Sequence, residues 1–158
     1  MIILLTTLAF ANNQLIGEVD MGGTLDGAAT IHVTGFTQFI GNDVLQFVAR
    51  GPFYTFTANG QHTYGVVEAG IGVHTGEITA SLLFDPMAAI YSHDTSGWAP
   101  RWTLAVHMLP PHSKIAFVGN VYTRSFVDLP LGFETTEYTP RIWGIELGVA
   151  FNPSAIAK

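Results

Sequence analysis

Apolar residues alternate with small or polar ones at a period of two along much of this chain. In His62–Thr75 the odd positions give Gly65, Val67, Ala69, Ile71 and Val73, and the even positions give His62, Tyr64, Val66, Glu68, Gly70, Gly72 and His74. Arg141–Phe151 places Trp143, Ile145, Leu147, Val149 and Phe151 on one face and Ile142, Gly144, Glu146, Gly148 and Ala150 on the other. Trp102, Leu104, Val106 and Met108 are likewise opposed by Thr103, Ala105 and His107. Such alternation marks strands and fixes their register, because a slip of one residue turns every apolar side chain to the wrong face. No window shows the i, i+3, i+4, i+7 spacing of an amphipathic helix.

Turn chemistry separates the runs at Asp26-Gly27, Gly41-Asn42-Asp43, Asn59-Gly60, Gly76-Glu77, Asp85-Pro86, Ser96-Gly97, Pro110-Pro111 and Leu129–Gly132. Asn59-Gly60 predicts a type I′ hairpin, since both residues tolerate positive φ. The strands expected between these signals are 2–10, 13–20, 28–40, 44–57, 62–75, 77–84, 87–92, 101–109, 114–127 and 141–151. Gly35, Gly51-Pro52 and Gly119 predict bulges or breaks within them, because Pro cannot donate to a ladder and Gly weakens a strand interior. The predicted fold is an all-β single domain over 1–158 with almost no helix. It is drawn as an antiparallel sandwich of the jelly-roll kind with 8–10 strands, or alternatively as a closed eight-stranded barrel.

The second face of these strands carries the functional signal. Gly70, Gly72, Gly144 and Gly148 weaken strands, and glycine there marks close approach by other atoms. Either a neighbouring subunit packs against that face, or the sheet closes into a barrel with the apolar face toward lipid and the small, charged face in the lumen. In the barrel case Trp143 and Phe151 stand about 26 Å apart along an ideal strand, the spacing of two aromatic girdles before tilt.

Composition narrows the classes. Charged residues make up 11% and hydrophobic residues 48% of the chain, so a solvated second face is not available to most strands. The net charge is −6 and the six Lys and Arg are scattered, which argues against nucleic-acid binding and against anionic headgroups as partners. There is no cysteine, which excludes disulfides, zinc–thiolate sites and thiol nucleophiles. Ile2–Phe10 is a short apolar run without a preceding Lys or Arg, read as a first strand in preference to a cleaved signal.

Candidate chemistry is sparse. Glu68, His107 and Glu146 fall on small-residue faces of three strands and could form an acid–base or metal cluster if those strands were neighbours. The six histidines form no His-x-His or His-x3-His pair, and His62 and His74 would lie about 40 Å apart along one strand. Ser92-His93-Asp94-Thr95-Ser96 has the residue types of a nucleophilic triad, but a contiguous run of them reads as a polar loop. The aromatic concentrations Phe53-Tyr54-Thr55-Phe56 and Trp98–Trp102 read as interface anchors, with sugar stacking as the other use.

Leu4–Gly17 (LLTTLAFANNQLIG) resembles the first strand and loop of dihydrofolate reductases. The resemblance would imply a Trp-containing segment and an acidic residue on a first helix to hold the pterin. Glu18–Gly23 stands there instead, and no amphipathic helix follows.

The expectation from sequence is therefore a structural protein without enzymatic activity or cofactor. It would be an obligate homo-oligomer or shell subunit, a virion coat, spike or decoration protein, with Gly70, Gly72, Gly144, Gly148, Trp98, Trp102, Phe53 and Tyr54 at its interfaces. The alternatives are an eight-stranded outer-membrane barrel and a small β-barrel ligand binder or enzyme using Glu68, His107 and Glu146.

Overall fold

A computed structural model describes residues 11–91, 96–128 and 138–153. The expected strand 2–10, the Leu129–Gly132 turn and the polar run 92–95 lie outside them. The described residues form eleven strands: β1 (Ala11–Thr24), β2 (Ala29–Gly41), β3 (Leu45–Thr57), β4 (His62–Gly65), β5 (Glu68–Thr75), β6 (Ile78–Asp85), β7 (Ala89–Tyr91), β8 (Ser96–Trp98), β9 (Arg101–Met108), β10 (Ile115–Asp128) and β11 (Tyr138–Phe151). Around the ring, β1-β2-β3-β5-β6-β9-β10-β11 pair antiparallel, and β11 returns to β1. Above them β4, β7 and β8 continue β5, β6 and β9 between β3 and β10. The sheet is thus one closed barrel of eight long strands in up-and-down order.

This corrects the sandwich and jelly-roll expectation in favour of the closed barrel. A sandwich and a barrel share the same period-two alternation; what separates them is closure, and the β1–β11 ladder from Ile16↔Phe151 to Thr24↔Gly144 provides it. The all-β, antiparallel, nearly helix-free character stands as expected. Residues 11 and 151 share one end of the barrel, here called proximal, with the turns at 41–45, 75–78 and 108–115. The distal end carries the hairpins at 24–29 and 57–62.

Several strands switch which parity faces inward. On β2, Thr30, His32 and Thr34 point in, then Thr37 and Phe39; on β3, Gln46, Val48 and Arg50 point in, then Phe53, Thr55 and Thr57. The switch falls at Gly35 opposite Gly51-Pro52, where the peptide bond is cis, as those breakers predicted. The expected unbroken strand 62–75 is divided at Val66-Val67, both exposed, so Gly65 and Glu68 both face inward. Gly119, expected as a break, keeps its alternation and register between Val118 and Asn120. At the 57–62 hairpin Gly60 has φ +82° and donates to the Thr57 carbonyl at 3.0 Å, whereas Asn59 is not in the left-handed region. The turn is therefore not type I′, which needs positive φ at both central residues.

Candidate functional site: a salt-bridged lumen in an apolar wall

The two faces of the strands are inverted relative to a water-soluble sheet. Outward positions carry Val19, Met21, Ile31, Val33, Phe47, Ile71, Val73, Leu82, Leu104, Val106, Val121, Ile145, Leu147 and Val149, all exposed, with Leu147 at 70%. Among the strand residues whose burial is described, no exposed position carries a charged side chain. Aromatic residues flank this aliphatic band. Phe56, Tyr64, Trp98, Trp102 and Trp143 lie toward the distal end, and Phe47, Phe117 and Phe151 toward the proximal end.

The lumen is filled in two tiers. Toward the proximal end Leu15, Phe39, Val48, Leu83, Ala105, Leu109, Ala116, Val118 and Ala150 form one buried cluster. Beside it stands a charged tier centred on Arg50 and Arg101, 0% and 1% exposed. Arg50 pairs with Glu18, with Asp20 at 3.1 Å and with Glu68 at 3.6 Å, and donates to Asn120 Oδ1 at 3.1 Å. Arg101 pairs with Glu68 at 3.1 Å and Glu146 at 3.3 Å, and donates to Thr103 and Thr55 hydroxyls at 3.0 and 3.2 Å. Its guanidinium lies 4.2 Å from the Tyr122 ring centroid and 5.2 Å from that of Phe53. Thr37 donates to Glu18 at 3.0 Å, Thr103 to Glu68 at 2.8 Å and Asn120 to Asp20 at 2.8 Å. Distally, Arg124 donates to the Thr63 hydroxyl. Buried charges persist when they are paired and hydrogen-bonded; Glu18, Asp20, Glu68 and Glu146 are each ion-paired with Arg50 or Arg101, although Asp20 Oδ1, Glu68 Oε2 and Glu146 Oε1 accept no hydrogen bond.

Glu68, His107 and Glu146, singled out from sequence, do face one lumen. Glu68 and Glu146 are brought together through Arg101, while His107 stands 3.7 Å from Glu18. No group of described residues has the geometry of a metal site. Sequence reasoning missed Glu18, Asp20, Arg50, Arg101 and Asn120. The available signal was that Arg50, Arg101 and Arg124, half of the six cations, fall on strands and opposite apolar faces.

The proposed interface residues divide between the two sides. Gly70, Gly72, Gly144 and Gly148 lie on the inner wall, where the atoms that crowd them belong to this chain. A Cβ at Gly144 would fall on the Tyr122 ring, and one at Gly148 on Asp20 and the Val19 carbonyl. Phe53 is buried inside, stacked 5.3 Å from His32. Tyr54 lies outside against Phe56 at 4.3 Å. Trp102 is exposed outside and stacks on Phe84 at 4.3 Å; Trp98, also outside, donates to the Pro86 carbonyl.

No helix among the described residues is long and apolar enough to cross a membrane, which says nothing about crossing by strands. No family model and no curated protein matches the sequence. Among solved structures, a chain from the de novo design of transmembrane β-barrels matches with a TM-score of 0.54 at 11% identity, covering 90% of this chain and 96% of that one. The likeness shows the fold, a closed barrel; it overturns the jelly-roll expectation, which would have required two stacked open sheets, and with it the capsid and virion expectation loses the architecture it was drawn on.

Proposed function

We propose that this chain is an integral barrel of an outer membrane, a lipid-facing wall around a plugged lumen. The observation that carries this reading is the inversion itself: charge-free, exposed aliphatic side chains outside and paired charges inside. In water the outer face would be a contiguous apolar patch far larger than monomers carry. In a bilayer the same face is matched to its solvent, and a closed sheet leaves no unpaired edge. From Trp143 to Phe151 the strand runs about 26 Å, or about 20 Å of height at a tilt near 40°, close to the apolar band of such barrels.

The lumen fits a plug and not an open pore, because the Arg50 and Arg101 clusters leave no surface open to water. It also gives Glu68, His107 and Glu146 no access to a substrate, so the reading assigns the chain no reaction. The partner is lipid, and the distal hairpins would face outward on a fixed platform. Native mass measured with and without detergent tests this. The expected result is a dispersed barrel only in detergent; recovery from buffer alone as a monomer or a large particle would contradict it.

A further inference from the structure

Among the described side chains, the aromatic rim at the distal end of the wall has a gap. Phe56 on β3, Tyr64 on β4, Trp98 on β8, Trp102 on β9 and Trp143 on β11 stand exposed along it. β1 carries no aromatic residue, and the distal half of β2 has only the buried ring of His32. Small residues stand there instead. Gly23 pairs with Ala29, and the Ala58 amide donates to the Ala29 carbonyl at 2.9 Å, so the three lie abreast on β1, β2 and the end of β3.

Below them, toward the middle of the wall, Met21, Ile31 and Phe56 pair in one exposed row. Between the two rows the wall is hollowed into a notch of about 300 Å³, with Met21, Ala29, Ile31, Phe56 and Ala58 among the eight residues that line it. The backbone behind it is engaged in the β1–β2 and β2–β3 ladders, so what the notch offers an occupant is hydrocarbon contact. Gly23 pairs with Ile145, and the Leu25 amide donates to the Trp143 carbonyl at 2.9 Å. The notch therefore opens at the depth of Trp143, where an aromatic girdle marks the boundary between headgroups and hydrocarbon.

We propose that this notch seats one acyl chain of a membrane lipid, held in place while the rest of the wall meets lipid in passing. Such a site presupposes the membrane reading and adds one particular binding place to it. Size selects the occupant. Eight residues line the notch, against about 20–30 a side in a stable protein interface, so a second copy of this chain would gain too little there. Its volume lies at the lower end of clefts that hold small ligands, about 300–1,000 Å³. A flexible chain fills the space that aromatic rings fill elsewhere on the rim, and restores dispersion contact that the lining would otherwise lack.

The test is native mass spectrometry of the full chain, refolded in detergent micelles doped with dioleoyl phosphatidylcholine. Wild type is expected to keep one lipid once the detergent is stripped. Ala29→Phe, which fills the notch, is expected to keep about tenfold less, the loss that follows from displacing about two methylenes. Ala58→Phe is expected to do the same, which keeps the test available should one variant not refold. Ala80→Phe, an equal addition on the exposed face of β6, is expected to leave retention unchanged. Retention that survives both notch-filling variants, or that Ala80→Phe abolishes equally, overturns the proposal. So does a wild type without lipid, or a dimer that Ala29→Phe splits, since a second copy would then be the occupant. A barrel that needs detergent but holds no lipid sinks this site and leaves the membrane reading standing; a monomer in plain buffer sinks both.

Discussion

The lumen and the outer wall are two faces of the same strands, and they obey opposite rules. On β9, Arg101, Thr103, Ala105 and His107 are buried while Trp102, Leu104, Val106 and Met108 are exposed. Inside, position matters: Arg101 meets five partners from four other strands and its own, and no other side chain would satisfy them all. Outside, only polarity matters: any apolar residue of similar size serves where nothing but solvent touches it. The comparison teaches that specificity of fold resides in the polar contacts of the lumen, while the apolar wall, under the proposed reading, sets the partition into lipid.

Substitutions on the two faces should therefore differ in kind. Arg101→Met leaves Glu146 buried without its cation and Glu68 with Arg50 alone, at 3.6 Å, and is expected to cost about 3–5 kcal/mol, read as a lowered urea midpoint. On the wall, Leu147→Arg, midway between Trp143 and Phe151, is expected to cost about 2–4 kcal/mol in bilayer vesicles, while Phe151→Arg near the proximal girdle costs about 0–1 kcal/mol. Equal costs at the two depths would break the assignment of this face to lipid. Gly144→Ala pushes a methyl into the Tyr122 ring and is expected to lose about 1–3 kcal/mol, a lumenal effect from one carbon. The same increment on the wall, Val149→Leu, is expected to stay within about 0.5 kcal/mol.

Much of the lumen's inner face could be read along the chain, but not that it was the inside. The alternation in 101–109 and 141–151 located strands and both faces correctly. Which face turns inward depends on closure, and closure depends on β1 meeting β11 across almost the whole sequence. The charged tier is equally non-local. Asn120 lies 100 residues from Asp20 and 70 from Arg50, so neither spacing nor motif announces it. The break at Val66-Val67 was hidden because two adjacent apolar residues fit a continuous strand as well as a bulge that turns both outward. Gly35 and Gly51-Pro52 were legible because backbone chemistry alone marks them. Gly119 was over-read: glycine in a strand permits a break without requiring one.

The apolar wall can be interrogated through tryptophan, because all three tryptophans, Trp98, Trp102 and Trp143, lie on it. With the barrel folded into vesicles of brominated phosphatidylcholine, fluorescence should be strongly quenched by the acyl-chain bromines and little affected by aqueous acrylamide. Quenching by acrylamide with indifference to the brominated chains would place the wall in water and contradict the account.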